Sequence, residues 1–106
     1  MQDIQIDVGV CTILTINLST VDFKEVDKVI FTVKNLPDPT SEVIIEREFT
    51  TPEVHQIVVT AEESMRLTDK AEYDFGQILK DKGLRVKMTD NGKVKLRKAV
   101  GDCIDD

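Results

Sequence analysis

The 106-residue chain has no tryptophan, one histidine, two cysteines and 5% aromatic residues, and each scarcity removes a class of function. With so few aromatic faces there is little to stack on sugar rings or unpaired bases, which argues against a lectin and against a single-strand nucleic-acid platform. The single histidine and two cysteines leave few groups for nucleophilic or metal chemistry. No Gly-rich phosphate loop, H-E-x-x-H, G-x-S-x-G or C-x-x-C spacing occurs, so neither an enzyme nor a metal or cofactor site is expected. Positive charge is in the minority: fourteen basic against twenty acidic residues give a net charge of -6, against wholesale nucleic-acid binding. Long apolar runs are missing too. Stretches such as Val43-Ile44-Ile45 and Ile57-Val58-Val59 fall far short of the roughly 20 residues that cross a bilayer as a helix. The start, MQDIQIDVGV, lacks the basic residues and apolar core of a secretory signal. A soluble protein with no membrane partner is expected.

What the chain does have is a period near two. Its apolar residues are mostly β-branched and alternate with polar ones, the pattern of strands buried on one face. Candidate strands are Ile4 to Val8, Thr12 to Leu18, Lys28 to Asn35, Glu42 to Phe49, His55 to Thr60, Ala71 to Leu79, Leu84 to Thr89 and Lys93 to Val100. Leu36-Pro37-Asp38-Pro39-Thr40-Ser41 and Thr50-Thr51-Pro52 break the ladders. One helical turn is expected near residues 61–67, where Thr60 and Glu63 form a capping box and Met65 or Leu67 turns inward. Beyond it, Asp69-x-Ala71-x-Tyr73 resembles the tyrosine corner of immunoglobulin-like sandwiches, with Phe75 where antibody domains carry a cysteine; alternatively Tyr73 and Phe75 are plain inward residues. Both readings put this strand in the core. The fold class is therefore all-β, an immunoglobulin-like antiparallel β-sandwich forming a single domain over 1–106, with no internal repeat or linker.

Turn chemistry assigns a closing hairpin. A three-residue loop Asp90-Asn91-Gly92, with Gly92 in a left-handed conformation, sets Met88 opposite Val94 and Val86 opposite Leu96 on the inner face. It then sets Lys87 opposite Lys95 and Arg85 opposite Arg97 outside, with Lys93 beside the turn. Arg85, Lys87, Lys93, Lys95 and Arg97 are the candidate partner-binding residues. Like charges across a ladder repel, so this face needs acidic neighbours or an acidic partner. Three alternatives stand: a solvated face neutralised by carboxylates such as Glu46, Glu48 or Glu72; an acidic protein surface, another copy of this chain included; or nucleic acid.

Other polar groups read as structure. His55 is a lone rim histidine with no triad around it. Asp22, Glu25 and Asp27 lack the ligand alternation and glycine of a calcium loop, and Asp102, Asp105 and Asp106 form an acidic tail. Cys11 and Cys103 read as free thiols; paired, they would close a long loop worth about 4 to 5 kcal/mol in the chain-entropy model.

Taken together, Asp22-Phe23, Lys28-Val29-Ile30-Phe31-Thr32-Val33-Lys34, the stretch from Val58 to Leu67, Ala71-Glu72-Tyr73-Asp74-Phe75 and Gly92-Lys93-Val94 carry a family likeness. The chain resembles the immunoglobulin-like domain of phage and prophage structural proteins, such as the N-terminal domain of baseplate upper proteins in phages of Gram-positive bacteria. It departs from that pattern at Asp74, which lies between the two aromatics, and at Gly76. The resemblance implies a non-enzymatic tail or baseplate component acting through protein–protein contacts with other virion or tail subunits or with itself, located in the virion or the host cytoplasm. A bacterial β-sandwich adaptor or recognition module is the alternative. It implies no site residues, because the shared motifs are structural.

Overall fold

The computed structural model describes residues 3–36, 40–80, 83–87 and 92–98. Eight strands and one helical turn follow in order: β1 (Ile4–Val8), β2 (Thr12–Asn17), β3 (Val26–Lys34), β4 (Val43–Phe49), β5 (Val54–Val59), α1 (Ala61–Met65), β6 (Glu72–Leu79), β7 (Arg85–Lys87) and β8 (Gly92–Lys98). The strands coincide with the expected alternating segments, β1 to β5 being the ones rich in β-branched residues. Pro37, Asp38 and Pro39 of the first expected loop lie outside the described residues, as do Met88, Asp90, Asn91, Cys103 and the acidic tail.

The strands form two layers, a large sheet in the order β1-β8-β6-β3-β4 with β7 also on β6, and a small sheet of β2 and β5. The second and fifth strands opposite the third, sixth and last are the partition of an immunoglobulin-like β-sandwich, which β4 extends at one edge. Pairing is antiparallel except between β1 and β8, which run parallel from Ile4 opposite Val94 to Val8 opposite Lys98. The expectation of a wholly antiparallel sandwich is corrected at that pair. The chain leaves β1 through Gly9, at φ +87°, into the opposite layer, so β1 cannot form a hairpin with β2 and lies along the last strand.

The core is built on β3. Val29, Phe31 and Val33 are fully buried and cluster with Ile16, Ile57 and Val59 of the small sheet and with Ile6, Ile45, Phe49, Tyr73 and Val94 of the large one. Burying such a side chain stabilises the fold by about 1.5 to 3 kcal/mol. The rings of Phe31, Tyr73 and Phe75 lie 5.2 to 6.0 Å apart, centre to centre, in the favourable range for aromatic pairs. Tyr73 sits opposite Val33 and Phe75 opposite Phe31, so both aromatics of β6 face inward.

The capping box forms as its sequence requires. Glu63 N–H donates to Thr60 Oγ1 and Thr60 N–H to Glu63 Oε1, each at 3.1 Å. Leu67 turns inward and Met65 does not. Ser64, fully buried, accepts from Gly9 N–H at 2.9 Å and donates to the Ala61 carbonyl, which ties α1 to the turn between β1 and β2.

The closing hairpin lies elsewhere than the Asp-Asn-Gly signal predicts. β7 pairs with β6, Arg85 opposite Ile78 and Lys87 opposite Gly76, and β8 follows along the same edge, Gly92 opposite Tyr73 and Lys93 opposite Glu72. Since β7 and β8 run in one direction, neither Val86–Leu96 nor Arg85–Arg97 nor Lys87–Lys95 are partners; the expected Met88–Val94 pair involves a residue outside the described ones. Val86 keeps inward parity, opposite Gln77, but is exposed there rather than buried. The reversal comes earlier, between β6 and β7, where Gly83 N–H donates to the Leu79 carbonyl and Gly83 has φ +59°. Gly92 is not left-handed; a side chain there would overlap the Tyr73 ring. Its glycine makes room for an aromatic, not for a turn.

Candidate functional site

Alternation along the registered strands puts all five candidate cations on the outward face of the large sheet, as expected, but among anions. Outward positions on β4 are Glu46 and Glu48, and on β3 Lys28 and Lys34. On β6 they are Glu72 and Asp74. Arg85 and Lys87 on β7, and Lys93, Lys95 and Arg97 on β8, come next, followed by Asp7 on β1 with Asp3 just before it. Sign thus changes from strand to strand across the sheet.

Many of these charges meet. Lys28 Nζ lies 2.9 Å from Glu48, Arg97 Nε 2.8 Å from Asp7, and Lys95 Nζ 3.5 Å from Asp3. Arg97 holds the Asp7 carboxyl below its ordinary value through hydrogen bonding and charge, while Glu48 raises Lys28 in the same way. Arg85 lies across β6 above Gly76, where a Cβ would come within 2.6 Å of its Nε. It donates to Thr32 Oγ1 at 3.1 Å and lies 3.4 Å from Asp74, reaching over the sheet to the buried hydroxyl of β3. Among the described residues Lys87 and Lys93 form no ion pair. The neutralising carboxylates are mainly Asp3, Asp7 and Asp74; of those anticipated, Glu48 holds Lys28 and Glu72 stands opposite Lys93. A shallow depression of about 320 Å³ beside Lys93, lined by Leu36, Asp69, Lys70, Ala71 and Glu72, repeats this mixture of signs.

The small sheet is different in kind. Thr-Ile-Leu-Thr-Ile-Asn and Val-His-Gln-Ile-Val-Val contain no lysine, arginine, aspartate or glutamate. Ile13 is opposite Val58, Thr15 opposite Gln56 and Asn17 opposite Val54, so an apolar pair lies on the outside. Ile13 is 63%, Val54 56% and Val58 48% exposed.

Arg47, which no sequence motif marks, joins the layers. Pointing inward from β4, it donates to the Val58 carbonyl at 3.1 Å and to Glu63 at 2.9 Å. Burial raises Glu63, but hydrogen bonds from Thr60 and Arg47 outweigh it and hold the carboxyl below its ordinary value. An arginine in alternation with Glu46 and Glu48, at a position of inward parity, is the available signal.

The remaining polar groups serve local structure. His55 packs its ring on Phe49, centres 4.8 Å apart, and its Nε2 lies 3.0 Å from the Thr51 carbonyl. Asp22 accepts from Lys24 N–H at 2.9 Å and so closes a turn. Cys11 is disulfide-bonded, which corrects the free-thiol reading; the sequence holds one other cysteine, Cys103. No helix of the described residues is long and apolar enough to cross a membrane.

No protein-family model matches the chain, and no curated protein does. Among solved structures it is similar to the extracellular domain of the voltage-gated sodium channel β4 subunit, with 9% identity over 92% of each chain and a TM-score of 0.43. That domain is described as forming parallel homodimers that explain its role in cell–cell adhesion.

Proposed function

We propose that the protein is a non-catalytic assembly module, a tail or baseplate component of a phage or prophage particle that works through contacts with other protein subunits. The observation that carries this reading is the small sheet: an exposed apolar pair on an uncharged face, in a chain with 32% charged residues, is the kind of surface that another polypeptide covers. The sequence resemblance to baseplate proteins supplies the particle. The disulfide at Cys11 supports the virion rather than the host cytoplasm, since disulfides persist outside reducing compartments. The cations of the large sheet are the lesser candidates for contact. Arg85, Lys95 and Arg97 have carboxylates of their own, leaving Lys87 and Lys93 to meet an acidic partner. The mixed signs of that face speak against a phosphate backbone, which selects for uncompensated positive charge.

Mass spectrometry of gradient-purified particles from cells carrying the gene tests the reading. The chain should co-sediment with tail proteins in fixed stoichiometry. Its absence from particles, with the whole pool left unsedimented or bound to a host protein, would favour the adaptor alternative instead.

A further inference from the structure

Five strand edges have no neighbour among the described residues: those of β1, β4 and β7 on the large sheet and of β2 and β5 on the small one. An open edge is a row of unpaired N–H and C=O groups, which sheets guard with charge, proline, a bulge or a side chain laid across it. Four of the five are guarded, the three-residue β7 by Arg85 and Lys87. β4 carries Glu46, Arg47 and Glu48. β1 carries Asp7, held by Arg97. On β5 the Val58 carbonyl is taken by Arg47. β2 has no charge, no proline and an unbroken register.

Which groups β2 offers follows from its ladder. Leu18 N–H donates to the Glu53 carbonyl at 3.1 Å, so these two form a hydrogen-bonded pair. By alternation Ile16–His55, Leu14–Ile57 and Thr12–Val59 do too. The peptide groups of Ile13, Thr15 and Asn17 therefore point away from β5. The outward carbonyl of Val58, registered opposite Ile13, agrees independently.

We infer that β2 pairs with β2 of a second copy of this chain, antiparallel about a two-fold axis at Thr15, joining two small sheets into one sheet of four strands. The inference rests on reading the protein as an assembly module, and it names the partner. Symmetry favours a second copy: outward peptide groups at every second residue about Thr15 place Ile13 across from Asn17 of the other copy and Thr15 across from Thr15, each pair exchanging two hydrogen bonds. Packing favours it: Leu14, half-buried, falls opposite Ile16 of the other copy, so the apolar inner face runs on across the axis. Charge favours it as well. Each copy carries -6, yet neither β2 nor β5 holds an aspartate, glutamate, lysine or arginine. The same operation on β4 would set Glu46 against Glu46, or Arg47 against Arg47, and like charges across a ladder repel.

Sedimentation of the full, oxidised chain over a range of concentrations tests this. The wild type should rise from 12.0 kDa toward twice that mass. Thr15→Lys, which brings two ammonium groups together on the axis, should weaken association about tenfold with an unchanged melting temperature. Ile13→Glu, at another exposed outward position, should act in the same direction, and Gln56→Lys, one strand away from the axis, should leave association intact. A wild type that stays at 12.0 kDa up to about 1 mM, or a dimer that Thr15→Lys and Gln56→Lys affect equally, overturns the pairing. A monomer still found in particles sinks the pairing and spares the assembly reading; a β2-paired dimer absent from particles does the reverse.

Discussion

Facing outward from the large sheet are strands whose charges alternate in sign, β4 acidic, β3 basic, β6 acidic, β7 and β8 basic, β1 acidic; facing outward from the small sheet are two strands with no aspartate, glutamate, lysine or arginine. One layer pairs most of its charges within itself and has central strands with neighbours on both sides. The other leaves an apolar pair, Ile13 and Val58, in solvent and has one edge, β5, covered by Arg47 at Val58 and the other, β2, bare. A binding reading based on clustered cations points to the first layer, yet among the described residues Arg85, Lys95 and Arg97 there meet carboxylates and only Lys87 and Lys93 do not, while the second layer exposes an apolar pair with no charge beside it on its strands. What matters for recognition is the charge left over after neighbours are counted.

The two layers share a core, and removing it should abolish the distinction. Phe31→Ala should cost about 3 to 5 kcal/mol, seen as a lower urea midpoint with both sheets lost in one transition; separate transitions would show that the layers are independent. Next in size is a backbone contact peculiar to the large sheet. Gly92→Ala drives a methyl group into the fixed Tyr73 ring and should cost about 1 to 3 kcal/mol. Gly76→Ala meets only the flexible Arg85 side chain and should lower the melting temperature much less.

The seam between the layers should respond to acid. Glu63 has a depressed folded-state value, so its contribution is complete above the ordinary glutamate value of 4.5 and is lost as pH falls through the lower folded one. Glu63→Gln should remove about 1 kcal/mol at neutral pH and flatten the fall of melting temperature below pH 4.5. Asp7, lowered by Arg97, contributes with the same sign, so the flattening will be partial. Smallest is the effect of the exposed stripe itself. Asp7→Asn should barely move the melting temperature, because exposed ion pairs are screened and weak, and what change there is should vanish in high salt. A large, salt-resistant loss would mean that the charged face holds the sheet together.

Local signals were legible. All eight strands follow from alternation, and α1 from its capping box, because both depend on residues close in sequence. The pairing of distant segments was not. Asn91-Gly92 is a strong hairpin dipeptide, yet Gly92 stands where it does because of Tyr73, a tertiary contact that no local rule contains. The true reversal at Gly83 is announced only by a lone glycine after Asp81-Lys82, and the three-residue β7 is too short to declare its partner. The candidate cations were placed on the correct face, since parity along a strand is local. That carboxylates of other strands would meet them was expected, but which ones was not legible, since Asp3 and Asp7 arrive beside β8 in a parallel pair. Gly76 inside a strand was the available hint that a side chain lies close over the backbone there.

That parallel pair also sets how the molecule answers to force. Because β1 and β8 run in the same direction over five registered positions, tension applied at Ile4 and at Lys98 pulls the two strands past each other lengthwise. The bonds between them are loaded together in shear rather than peeled apart one at a time, so a subunit tethered by its ends would resist stretching and then yield abruptly.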